Sequence, residues 1–139
     1  MTCQSKAKDA VACFNEGFNC SQAILSTYCE SLGLERETAL KLSCGLGAGM
    51  GRLQETCGAV SGAYLVIGLK YGSDKEKTYA LVREFSKKFK ARNKSTNCRE
   101  LLGVDLILGD KAAASQRVRE VCPAAVRDAA EILESILDL

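Results

Sequence analysis

The chain has no histidine, no tryptophan and a single proline in 139 residues. Without histidine there is no imidazole general base, no Ser-His-Asp or Cys-His nucleophile and no histidine-ligated zinc, so any chemistry falls to thiols, carboxylates, amines and hydroxyls. Strand signals are almost as scarce, with no sustained alternation of β-branched and polar residues and no Asn-Gly or Asp-Gly hairpin turn. No apolar run approaches the roughly 20 residues of a membrane helix, and the segment 1–9 lacks the apolar stretch of a secretory signal. These absences lead to the expectation of a cytoplasmic chain with no membrane span. In such a reducing compartment, abundant cysteine points to metal or reversible redox chemistry more than to a permanent disulfide framework.

Cysteine is what the chain has in quantity: eight, at positions 3, 13, 20, 29, 44, 57, 98 and 122. They never form the C-x-x-C pair shared by structural zinc modules and thioredoxin-like sites, so a shared site has to be assembled by the fold. At 47% hydrophobic and 26% charged residues the chain can bury a core. Its length suits one domain spanning 1–139.

Helical periodicity runs along nearly the whole chain. Residues 5–17 place Ala7, Ala10, Val11 and Phe14 on one face, and 20–32 do the same with Ala23, Ile24, Tyr28 and Leu32 before Gly33. A short helix is expected at 36–44. The stretch 57–69 carries no charge and has small residues at 58, 59, 62 and 63, which predicts a central buried helix approached closely by its neighbours. Residues 75–94 predict a long amphipathic helix with Tyr79, Val82, Phe85 and Phe89 inward. A turn at 99–103 and separate helices at 110–121 and 123–138 complete an all-α bundle of six or seven helices. In the last helix Val126, Ala129, Leu133, Ile136 and Leu137 face the core.

The segment Cys44-Gly45-Leu46-Gly47-Ala48-Gly49-Met50-Gly51-Arg52 stands apart, since four glycines at alternate positions each cost about 1 kcal/mol in a helix relative to alanine. It reads as a loop. The spacing matches neither G-x-G-x-x-G after a strand nor G-x-x-x-x-G-K-[ST]. Either it is a tight turn where helices pack closely, or its backbone N–H groups form a nest beside Cys57, with Arg52 as a local positive charge.

Asn19-Cys20, Thr56-Cys57 and Asn97-Cys98 each place an N-cap residue directly before a cysteine, and Cys122-Pro123 places proline where a first helical residue belongs. All four cysteines are therefore expected at helix starts, where unpaired N–H groups and the macrodipole favour a thiolate. Alternatively, cysteine is merely tolerated at helix starts and the four never meet. Cys13 and Cys29 lie within predicted helices and read as small core residues. Cys44 borders the glycine loop as an outside candidate, and Cys3 is a poor one.

These residues resemble a known family. Cys20, then Gly49-Met50-Gly51-Arg52-Leu53-Gln54-Glu55-Thr56-Cys57-Gly58-Ala59-Val60-Ser61-Gly62, then Asn97-Cys98-Arg99-Glu100-Leu101-Leu102-Gly103, then Cys122-Pro123 are similar to the bacterial and archaeal family named C_GCAxxG_C_C after its cysteines. The resemblance implies a redox-active protein with Cys20, Cys57, Cys98 and Cys122 at the four hallmark positions. It supplies no substrate. Cys44 and the apolar stretch Ile107-Leu108-Gly109 depart from the usual pattern.

Two functions compete. In the first, the protein does thiol–disulfide or electron-transfer chemistry as a possible thiol oxidoreductase, with Cys57 as the low-pKa attacking thiol and a second cysteine resolving the intermediate. Gly49, Gly51, Arg52 and Gly58 would line the site, and the partner is a redox protein or a small molecule. In the second, the same four thiolates hold a soft metal or an iron–sulfur cluster. A third reading comes from residues 70–99, which carry ten basic and three acidic side chains. This patch is expected to be a solvated helix face and not a nucleic-acid site, because its aromatics are expected to face the core. The small-residue face of 57–69 also suits a homodimer contact.

Overall fold

The computed structural model describes residues 5–139, so Cys3 lies outside the described residues. Helix α1 (Ala7–Asn15) is followed by α2 (Cys20–Tyr28), whose start is held by a reciprocal cap. The Asn19 side chain accepts from the Gln22 N–H and the Gln22 side chain accepts from the Asn19 N–H, both at 2.9 Å. One 3₁₀ turn (Glu30–Leu32) ends at Gly33, which adopts the left-handed conformation at φ +87° as expected of a stop. Helix α3 (Arg36–Cys44) leads into the glycine segment and then to α4 (Gly58–Tyr71). Helices α5 (Lys75–Asn93), α6 (Cys98–Leu102) and α7 (Lys111–Ile136) follow, each begun by an Asp or Asn cap, at Asp74, Asn97 and Asp110.

The result is a compact all-α fold whose core is made chiefly by α2, α4, α5 and α7. Ile24, Val60, Val66, Ile67, Phe85, Phe89, Val126 and Leu133 are fully buried. Two glycines let α2 and α4 approach: a Cβ at Gly62 would stand 2.9 Å from the Ser21 carbonyl oxygen, and one at Gly58 would run into the Cys20 sulfur. Phe85 stacks on Phe89 at 6.0 Å and meets the edge of Tyr64 at 5.8 Å, which ties α5 to α4 within the core. No helix among the described residues is long and apolar enough to cross a membrane.

Three expectations are corrected. The helices expected at 110–121 and 123–138 are one helix of 26 residues with Pro123 inside it. Proline fixes a helical φ and deletes only one N–H, and burial of Ala114 before it and Ala125, Val126 and Ala129 after it carries the helix through. Tyr79, expected inward, is 50% exposed, with the Lys75 ammonium 6.0 Å from its ring centre; Phe85 and Phe89 are the buried residues of that helix, and Leu81 and Val82 are partly buried against the core. Thr56 is not a cap. It forms a single antiparallel β-bridge with Asn97, and Cys57 itself takes the N-cap position of α4.

The glycine segment departs from helix as expected, but in a specific way. Ala48, Gly49, Met50, Gly51 and Arg52 all have positive φ, between 54° and 70°, forming a left-handed turn in which three of five residues are not glycine. Such residues cost roughly 1–2 kcal/mol each. Backbone hydrogen bonds from Gln54 N–H to the Ala48 carbonyl (3.2 Å) and from Glu55 N–H to the Gly49 carbonyl (2.9 Å) hold the turn against that cost.

Candidate functional site

Cys20 is the first residue of α2 and is 6% exposed. Its sulfur faces the Ala48 N–H, delivered by the left-handed turn, as well as the Ser21 N–H and its own. The neighbouring Cys57 thiol donates to it. That hydrogen bond, with the three backbone donors, outweighs burial and brings the Cys20 pKa down from the usual thiol range to about 7. Of the N–H groups that the glycine segment was expected to turn towards Cys57, that of Ala48 faces Cys20.

Cys57 behaves in the opposite sense. Its proton is committed to Cys20, it is buried, and the Cys20 thiolate repels a second negative charge, so its pKa lies well above the ordinary thiol value. The direction for Cys57 is thus opposite to the one expected from the sequence, and the lowered pKa falls on its neighbour Cys20. Gly58, directly after it, leaves the space that the Cys20 sulfur fills.

Cys98 reaches the site through the β-bridge. The Cys57 N–H donates to the Thr96 carbonyl at 2.7 Å and the Cys98 N–H to the Glu55 carbonyl at 2.6 Å, which sets the starts of α4 and α6 side by side. Burial, then the Cys20 charge, push the Cys98 pKa up to about 11, against hydrogen bonding by Gln54 and the nearby Arg99. Cys122 comes from the middle of α7, not from a helix start. Burial, then the charges of Cys20 and Cys98, raise it to about 12.

All four cysteines line one cavity of about 780 Å³. Leu101, Leu106, Ile107, Val118 and Val121 supply much of its wall, and Arg52 and Gly58 also border it. Gly49 and Gly51 do not reach it. Gly49 is buried against the Gln54 backbone, where a Cβ would fall 2.5 Å from the Gln54 Cα, and Gly51 lies within the turn at φ +62°. Their contribution is to the turn that carries Ala48. Cys13 and Cys29 are buried in the core as expected, Cys13 with its sulfur 3.5 Å from the Ser26 hydroxyl; Cys44 is exposed at the end of α3 and does not line the cavity.

Gln54 went unrecognised in the sequence. It is 2% exposed, sits at φ +57°, and its amide donates to the Val104 carbonyl at 2.7 Å while accepting from the Leu106 N–H at 2.9 Å. It pins the 103–110 segment, and with it Leu106 and Ile107, over the cavity. No local signal marks this role, since the partners are about 50 residues away.

Among the described residues no three cysteine or carboxylate side chains converge closely enough to hold one metal ion. The arrangement is a hydrogen-bonded pair, Cys20 and Cys57, with Cys98 and Cys122 further along the cavity wall, and this does not fit the four-thiolate single-ion site considered from the sequence.

Fold and site together define the class: an all-α protein with a polarised thiol pair at the base of a cysteine-lined cavity. The family follows from the sequence over the same elements. Residues 18–136 match the family described as "Putative redox-active protein (C_GCAxxG_C_C)", and the chain belongs to that family. Among curated proteins and solved structures, none matches this chain.

Proposed function

We propose that the protein is a thiol–disulfide exchange protein in which Cys20 is the attacking thiolate and Cys57 the resolving thiol. The observation that carries this reading is the polarised pair: one buried sulfur faces three backbone N–H groups and the S–H of the other. With its pKa lowered to about 7, Cys20 offers more thiolate at neutral pH than an ordinary cysteine, and a thiol with pKa near ambient pH is the most effective attacker.

The Cys20 thiolate attacks one sulfur of a substrate disulfide R–S–S–R′. A Cys20–S–S–R bond forms, and R′–S⁻ leaves. Cys20 is then uncharged and no longer accepts the Cys57 proton, so two of the causes that hold the Cys57 pKa high disappear together. Cys57 passes its proton to R′–S⁻ or to water and attacks the Cys20 sulfur, releasing R–S⁻. The substrate gains two electrons as two thiols, and the protein gains a Cys20–Cys57 disulfide. An external dithiol returns it to the reduced state. The pair thus suppresses its second nucleophile until the first has reacted.

Trapping tests the assignment. Reduced Cys57→Ser protein exposed to a small symmetrical disulfide is expected to accumulate one mixed disulfide per chain, mapped by mass spectrometry to Cys20, while Cys20→Ser accumulates none at Cys57 on that timescale. An adduct on Cys98 or Cys122 in place of Cys20 would refute it.

A further inference from the structure

The side chains around the thiol pair differ in kind from those of an open surface. The cavity wall facing the cysteines is aliphatic, and its charged lining residues are Arg52, Lys111 and Arg119, with no aspartate or glutamate among them. All three cations are exposed and so sit at the solvent side, and none makes an ion pair within 4.0 Å among the described residues. Arg117, two residues before Arg119 on α7, shows the contrast: it is held by Glu120 and by the Leu101 and Leu102 carbonyls. In a chain of net charge +2 with nearly equal numbers of acids and bases, an apolar cavity rimmed by three uncommitted cations and no carboxylate is a local bias. A volume of about 780 Å³ is the size of a site for a small organic molecule, not for a folded partner.

We infer that the substrate is a low-molecular-weight disulfide with an apolar body and a carboxylate or similar anionic group, the body lying along the aliphatic wall and the anion held by Arg52, Lys111 and Arg119. This rests on the thiol-exchange reading and narrows it to a substrate class. The apolar body displaces water from the cavity, and the anion at the rim orients the disulfide inward towards Cys20. The exchange is balanced as above: the substrate disulfide is the oxidant and leaves as a dithiol, the protein ends with the Cys20–Cys57 disulfide, and an external dithiol is the reductant that resets it.

The test compares three disulfides as oxidants of the reduced protein: lipoic acid, its uncharged amide, and oxidised glutathione, which is anionic but polar. Each rate constant is divided by that for the same disulfide with free dithiothreitol, which removes intrinsic reactivity. The normalised rate for lipoic acid is expected to exceed that of the amide by about tenfold at low salt, the ratio shrinking as salt rises, and to exceed that of oxidised glutathione as well. The triple variant R52Q/K111Q/R119Q brings the acid-to-amide ratio towards one. Removing equal charge from α5 in K75Q/K77Q/K88Q leaves the ratio as it was. Equal normalised rates for acid and amide, or a higher rate for oxidised glutathione, would overturn the proposal.

Binding of octanoate to the wild-type reduced protein, followed by amide shifts of cavity residues, separates the two layers of the argument because octanoate has no disulfide. Octanoate binding with clear preference over octylammonium supports the ligand class. If it is seen while no disulfide exchanges at all, the thiol-exchange reading falls and the ligand class stands. Equal binding of octanoate and octylammonium, or none of either, overturns the ligand class.

Discussion

One proton between two sulfurs sets the character of this site. Cys20 accepts and Cys57 donates, so two cysteines with similar sequence contexts differ widely in acidity. Alkylation of the Cys98→Ser/Cys122→Ser protein by iodoacetamide is therefore expected to modify Cys20 with a midpoint near pH 7, and removing the donor with Cys57→Ala is expected to shift that midpoint upward. A midpoint unmoved by Cys57→Ala would show that the backbone donors alone set the acidity. Gly58 gives a second test at this scale. A methyl group there meets the Cys20 sulfur and comes within 3.2 Å of both the Leu46 carbonyl oxygen and the Ser21 N–H, so Gly58→Ala is expected to destabilise the fold by about 1–3 kcal/mol in urea unfolding and to raise the Cys20 pKa by displacing its sulfur. Cys20 and Cys98 were legible through the Asn caps before them, and all four cysteines through the family resemblance. The direction of the proton was not, because it depends on Ala48, which reaches Cys20 from a turn whose handedness no residue preference announces.

At the scale of elements, helices whose apolar stripes repeat every 3.6 residues were readable almost to their ends, as at 36–44, where the expected and observed bounds coincide. What escaped was structure held by distant partners. The Thr56–Asn97 bridge joins segments 41 positions apart, and a lone bridged pair leaves no alternating pattern to read. The left-handed turn is foreshadowed by Gly49 and Gly51, whereas Ala48, Met50 and Arg52 are carried into it by their neighbours. Gln54 is the clasp of this assembly. Gln54→Ala leaves the half-buried Val104 carbonyl and Leu106 N–H without their partners and is expected to cost about 1–3 kcal/mol, with increased hydrogen exchange across 103–110, which native-state exchange would reveal. Pro123 makes the opposite prediction. It interrupts an otherwise continuous α7, so Pro123→Ala supplies an N–H for the Arg119 carbonyl and is expected to stabilise the protein by about 1–3 kcal/mol in urea unfolding. A loss of stability would mean that the proline shapes the packing of Cys122 in a way a straight helix does not reproduce.

For the whole molecule, the absence of histidine takes on a structural meaning. The Cys20 pKa is lowered here without imidazole, by a second thiol, a strained turn and the start of α2, and all three depend on α2, α4 and the glycine segment meeting at one point. The basic face of α5 lies outside this assembly, with Phe85 and Phe89 buried beneath it and Tyr79 turned to solvent under Lys75. The family's redox description and the polarised pair are what the proposed exchange chemistry at Cys20 rests on. The most direct measurement is to oxidise the fully reduced protein with a small disulfide, quench with acid, and map the disulfide by mass spectrometry of non-reduced peptides. The account predicts one bond, Cys20 to Cys57, reversed by dithiothreitol, with Cys98 and Cys122 still free. A protein that remains fully reduced, or one whose first bond joins Cys98 to Cys122, would contradict it.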